Sequence, residues 1–205
     1  MSHGYAGAMK SAATDADSRF KSLGVVLRSH STMEQEVLFP ALKASAPKLV
    51  SKYQLDHERD EATLASLESD VKSAVTRIGR GDVKYPRSED FKDFVSKLRS
   101  FVVGQRVHMN NEDLDLAGAL ASLSTEAEAE VFAKVYLHLE PSNAAIMPVL
   151  LDVLSRQDRA QYVFNVKSVL GVKYPQKWSA FQTILTSSLV AEEMDDLKFR
   201  VDLTA

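Results

Sequence analysis

The sequence predicts an all-α protein: an antiparallel four-helix bundle followed by additional C-terminal helices. Three observations carry this. Apolar residues recur at three- and four-residue steps along most of the chain, and no stretch shows the sustained alternation of a half-buried strand. Glycine is scarce, eight in 205 residues, with Gly79 and Gly81 marking a helix end. The 45% hydrophobic content supplies ample material for a core and is ordinary for a folded domain.

A short first helix is expected over 2–13, with Thr14 and Asp15 capping the next segment. The second helix runs from about 16 to 43 on Leu23, Val26, Leu27, Val37 and Leu38. Pro40 should kink or stop it near Phe39. Pro47 suits the first turn of a third helix, which continues through Tyr53, Leu64, Leu67 and Val71 to about Ile78. Gly79-Arg80-Gly81-Asp82 ends it. After a linker, 83–87, Glu89 and Asp90 favour the start of a fourth helix, from Ser88 to about Ala121. Beyond Ser124, Pro141, Pro148, Gly171 and Pro175 punctuate three or four further helices. The expected division is a bundle over 1–122 and a helical extension, packing on or beside it, over 123–205.

Composition narrows the function classes. With 25 basic and 28 acidic residues the net charge is −3, and no Lys/Arg-rich stripe offers a footprint for nucleic acid. The chain has no cysteine, which excludes disulfides, thiolate zinc sites, iron–sulfur clusters and a catalytic thiol. The apolar stretch 144–154 carries Pro148 and Asp152 and is too short to span a bilayer. Residues 1–18 hold no secretory-type apolar run, so an intracellular location, cytoplasmic or nuclear, is expected, with no membrane or nucleic-acid partner.

The five histidines are the informative residues: His3, His30, His57, His108 and His138. Three of them begin the same pattern, His-x-x-x-Glu, as His30/Glu34, His57/Glu61 and His108/Glu112. Each pair falls in a different expected helix, and four residues place two side chains one turn apart on one face. Such a pair presents a nitrogen and an oxygen to one metal centre, the histidine capping one ion and the glutamate able to bridge two. The pairs also interrupt apolar stripes, Leu23 to Val37, Tyr53 to Leu64 and Phe101 to Leu116, that should face the core. Burying such groups uncompensated is costly, and metal coordination compensates them. A donor set of imidazole and carboxylate suits iron, manganese or zinc, and a bridged pair of ions suits iron or manganese best. A single such pair on a helix is commonplace and usually a surface feature. Three copies on successive helices favour ligands. His138, beside Pro141, reads as a structural or surface residue, Trp178 as core filling, Tyr53 as core filling or as a hydrogen-bond partner to a group behind the ligands, and the acidic clusters at 192–193 and 195–196 as a solvated face.

The stretch His30-Ser-Thr-Met-Glu34-Gln-Glu36-Val-Leu-Phe-Pro40-Ala-Leu resembles the second-helix motif of the hemerythrin-like, or HHE cation-binding, domains. His57/Glu61 and His108/Glu112 fall where that family's third and fourth helices carry ligands, and the resemblance covers about residues 1–120. It implies one further histidine from the first helix, for which His3 is the candidate. It also implies two iron ions, oxo- or hydroxo- and carboxylate-bridged, with manganese or zinc as substitutes. Oxygen-carrying hemerythrins place a histidine where this chain has Glu61. The set His3, His30, Glu34, His57, Glu61, His108 and Glu112 is similar instead to the iron-sensing hemerythrin domains of ubiquitin-ligase proteins. Added carboxylate neutralises charge on the metals and favours their oxidised state. The region after Ser124, through 125–130, 145–151 and 155–159, resembles the helices that follow the domain in plant hemerythrin–RING ligases, although a chain without cysteine forms no RING.

The leading expectation is therefore a di-iron-binding module for iron or oxygen sensing or iron binding, with iron and dioxygen as ligands. A protein partner would read its state through the C-terminal helices. The alternatives are a di-iron enzyme acting on oxygen, peroxide or nitric oxide, and a metal-free helical interaction module.

Overall fold

Long runs free of proline and paired glycine let local hydrogen bonding propagate, and the chain is helical through nearly all of its described length. The computed structural model describes residues 3–82, 84–138 and 146–204, without the side chains of 3–6, 136 and 137. Two compact units emerge, one from Met1–Ser31 with Leu42–Ser122, the other from Thr32–Ala41 with Leu123–Ala205.

The first unit is built on α1 (His3–Met33), α3 (Pro47–Gly79) and α4 (Glu89–Leu120). The separate first helix expected over 2–13 does not form, because α1 passes through Thr14 and Asp15 without a break. Neither residue caps anything. The Thr14 hydroxyl donates to the Lys10 carbonyl at 3.0 Å, while Asp15 and Asp17 accept from Arg19 and Lys21 one turn later. These i,i+4 ties support a continuing helix. At the other end of the motif, Pro40 has no N–H to offer and its ring crowds the carbonyl four residues back. The helix widens to a π-helical turn, Glu34–Leu38, in which the Phe39 N–H reaches the Glu34 carbonyl. It then resumes as α2 (Phe39–Leu42).

Helix α4 starts where Ser88 accepts a hydrogen bond from the Phe91 N–H at 3.3 Å. Side-chain bonds pair Tyr53 with Asp115, Asp70 with Lys97 and Arg77 with Asp90, so α3 and α4 run antiparallel. Arg28 meets Glu61 and Glu68, and Phe20 packs with Leu64, Leu67, Val71 and Phe101. The three helices thus share one core, which closes the bundle below the histidines.

In the second unit α5 (Thr125–His138), α6 (Met147–Val153), α7 (Arg156–Lys173), α8 (Pro175–Ser188) and α9 (Ala191–Arg200) follow in order. That is five among the described residues, where three or four were expected. Gly171, expected to punctuate this region, lies inside α7, and the breaks between α6 and α7 and between α8 and α9 carry neither proline nor glycine. At the second of these breaks Leu189 and Val190 are extended, and the Glu193 carboxylate accepts from the Val190 N–H at 3.3 Å. Trp178, Leu151, Val163, Leu170, Leu185 and Leu197 are buried in one cluster, so Trp178 is core filling. His138 sits 3.5 Å from the Glu36 carboxylate in this unit. No described helix is long and apolar enough to cross a membrane.

Candidate metal centre

His30 comes from α1, His57 from α3, and His108 and Glu112 from one face of α4. The three helices bring all four to one point: a ligand atom from each lies within 4.8 Å of the others. Glu112 is the hub. Its Oε2 lies 3.1 Å from Nε2 of His30 and 3.0 Å from Nε2 of His108, and its Oε1 lies 3.2 Å from Nε2 of His57. The carboxylate is 2% exposed, the His57 side chain 4% and His108 9%, whereas His30 is 27% exposed. The imidazoles also touch one another, with ring centroids 6.2 Å apart for His30 and His57 and 5.3 Å for His57 and His108.

A buried carboxylate needs compensation. Three convergent imidazole nitrogens supply it in one of two ways. As the Nε2–H tautomer they donate to Glu112; as the Nδ1–H tautomer they offer the Nε2 lone pair to a cation. Three nitrogens and one carboxylate oxygen make a donor set that fits iron, manganese or zinc. Beside them is a cavity of about 30 Å³ bordered by Leu27, His30, His57, Glu61, Phe101 and His108. It has room for roughly two water-sized atoms beside the donors.

The other sequence candidates lie as follows. Glu61 borders the same cavity, but both its oxygens accept from Arg28, at 2.9 to 3.1 Å. Glu34, 3% exposed, is buried on the π-helical turn in the segment grouped with the second unit. His3 lies on the first turn of α1, and its side chain is outside the described residues.

Three residues around the centre carried no signal of their own in the sequence. Arg28 also binds both oxygens of Glu68, which holds the Glu68 carboxyl below its ordinary range. Asp60, three residues after His57, brings a carboxylate oxygen to 3.7 Å from Nδ1 of His108. Asp115 accepts from the Tyr53 hydroxyl at 2.7 Å and from Lys52 at 3.0 Å. Tyr53 is 1% exposed and turns its ring edge-on to His108, centroids 5.7 Å apart. Burial, and then the Asp115 carboxylate, push its phenol up to about 12. Spacing flags Asp60 and Tyr53 only once His57 is accepted as a ligand, since both lie within one turn of it.

A family model described as the hemerythrin HHE cation-binding domain matches residues 3–120. The chain belongs to this family. The match takes in α1, α3 and α4 and every residue of the histidine–glutamate cluster, so the cluster of this HHE domain is its candidate cation site. No curated protein and no solved structure matches the chain.

Proposed function

We propose that this HHE domain is a non-haem iron module that holds two iron ions and reports iron or oxygen availability. The observation that carries the reading is the convergence of His30, His57 and His108 on the buried Glu112 from three separate helices. These four residues would hold one ion. Glu61, at the edge of the cavity, is a further donor, and the resemblance of the sequence implies Glu34 and His3 in the same set. Bound iron supplies a redox-active Lewis acid with affinity for dioxygen. The chain's own residues do the rest: Glu112 balances cationic charge, and Asp60 sits beside Nδ1 of His108.

A module of this kind works by linkage. Ligands drawn from three helices tie those helices together, so occupancy becomes folding free energy. A protein partner at the C-terminal helices would read the difference. The cavity beside the donors favours a second reading, an enzyme that reduces oxygen, peroxide or nitric oxide, because it leaves room for a small molecule next to the ligand atoms.

The deciding experiment is anaerobic loading with ferrous iron, desalting, and measurement of the iron-to-protein ratio. About two irons per chain, as a bridged dinuclear site requires, supports the reading. No retained iron, or retention unchanged in His57→Ala, overturns it.

A further inference from the structure

Arg28 holds Glu61 and Glu68 simultaneously. Its Nε and Nη2 donate to Glu61 at 2.9 to 3.1 Å, and its Nη1 and Nη2 donate to Glu68 at 2.8 and 3.0 Å. The two glutamates are seven residues apart on α3, hence on one face, and the fork from α1 spans them. Gly24 makes this possible. It stands one turn before Arg28, and a Cβ there would lie 3.0 Å from the Glu68 carboxylate and 3.3 Å from the Arg28 guanidinium. Glycine inside a helix costs up to about 1 kcal/mol against alanine, so α1 carries a weak residue at the point where the ion-pair triad needs space.

From this geometry we propose that Arg28 is a positioning residue, a latch that keeps Glu61 off the histidine cluster and thereby sets how strongly the centre holds cations. Latched, the cluster offers His30, His57, His108 and Glu112, with a guanidinium charge at the edge of the cavity. Released, Glu61 is free to turn into the cavity it already borders and to add a fifth donor and a negative charge. A side-chain rotation is sufficient, since Glu61 is one turn from His57 on the same face of α3. The latch rests on the reading of the cluster as a metal site and adds to it the control of that site by a residue that is not a ligand.

Cobalt(II) is the probe, because its visible absorption reports coordination number while titration reports affinity. Three chains are compared: the unaltered protein, Arg28→Gln, and Arg28→Gln combined with Glu61→Gln. Arg28→Gln removes the latch outright. It is expected to bind cobalt more tightly than the unaltered chain by roughly tenfold or more, the scale on which groups around metal ligands tune affinity. It should also shift the spectrum toward higher coordination. The double variant should return to the affinity and spectrum of the unaltered chain. Equal gains in the single and double Arg28 variants would show that Arg28 acts only as a nearby charge and would overturn the latch, as would an unchanged spectrum in Arg28→Gln. Cobalt bound by none of the three chains would instead overturn the metal reading, and the latch with it.

Discussion

Glu112 is the residue on which the site depends most. It is nearly sealed from solvent and faces three imidazoles, so truncating it takes a charged partner from all three as well as removing a donor. Glu112→Ala is expected to abolish metal retention and to destabilise the metal-free fold by about 1–3 kcal/mol, the scale of hydrogen bonds to a buried charged group. Urea denaturation of the apo protein measures this. A second residue-scale expectation concerns base. Tyr53 ionises in the unfolded chain near its ordinary 10.0 and in the folded one at about 12. The folded state thus keeps a proton that the unfolded state has lost, and stability falls as pH rises through that window. Tyr53→Phe should remove its share of the alkaline loss, visible as a flatter stability profile above pH 10 than that of the unaltered chain. Spacing put each histidine and its glutamate on one helix face, because i,i+4 pairs stack whatever the fold, but it gave Glu34 and Glu61 the same standing as Glu112, which alone joins the three histidines. The grip of Arg28 on Glu61 was not legible in the sequence, because it joins residues 33 positions apart and depends on how α1 lies against α3.

At the scale of elements, the end of α3 is the best-specified feature. Gly81 adopts φ +84; its N–H reaches the Ile78 carbonyl at 2.9 Å, and the Asp82 N–H reaches the Arg77 carbonyl at 3.0 Å. This is a Schellman closure, which needs a left-handed residue. Gly81→Ala should cost about 1–2 kcal/mol through the Cβ clash of that conformation, and Gly81→Asn less. Chemical denaturation would show it, and equal stability of the alanine variant would contradict the cap. That boundary was readable because glycine has a positional meaning after a helix. Thr14 and Asp15 had no such uniqueness. The side chains that cap helices also bond back within them, and here the longer helix won. The α8–α9 break was hidden for the converse reason. Leu189 and Val190 are extended to suit packing, with Leu189 buried, and only a glutamate bond to Val190 marks the spot.

At the scale of the molecule, the donors and the division into units together say where metal should be felt. The cluster draws on α1, α3 and α4 alone, while the second unit has its own core around Trp178 and Leu185. A cation that binds the folded state but not the unfolded one stabilises by about 2.7 kcal/mol when free metal stands at 100 times its dissociation constant. That corresponds to roughly a hundredfold slowing of amide exchange for hydrogen bonds that open only on unfolding of the first unit. Exchange measured with iron and with chelator should therefore differ by about that factor across the middle of α1, α3 and α4. Across α7, α8 and α9 it should scarcely differ. Equal protection of the first unit in both conditions would mean that the histidines are held by Glu112 without any need of an ion. A uniform rise through all the helices would mean that the two units unfold as one, in which case occupancy of the centre is felt directly at the C-terminal helices.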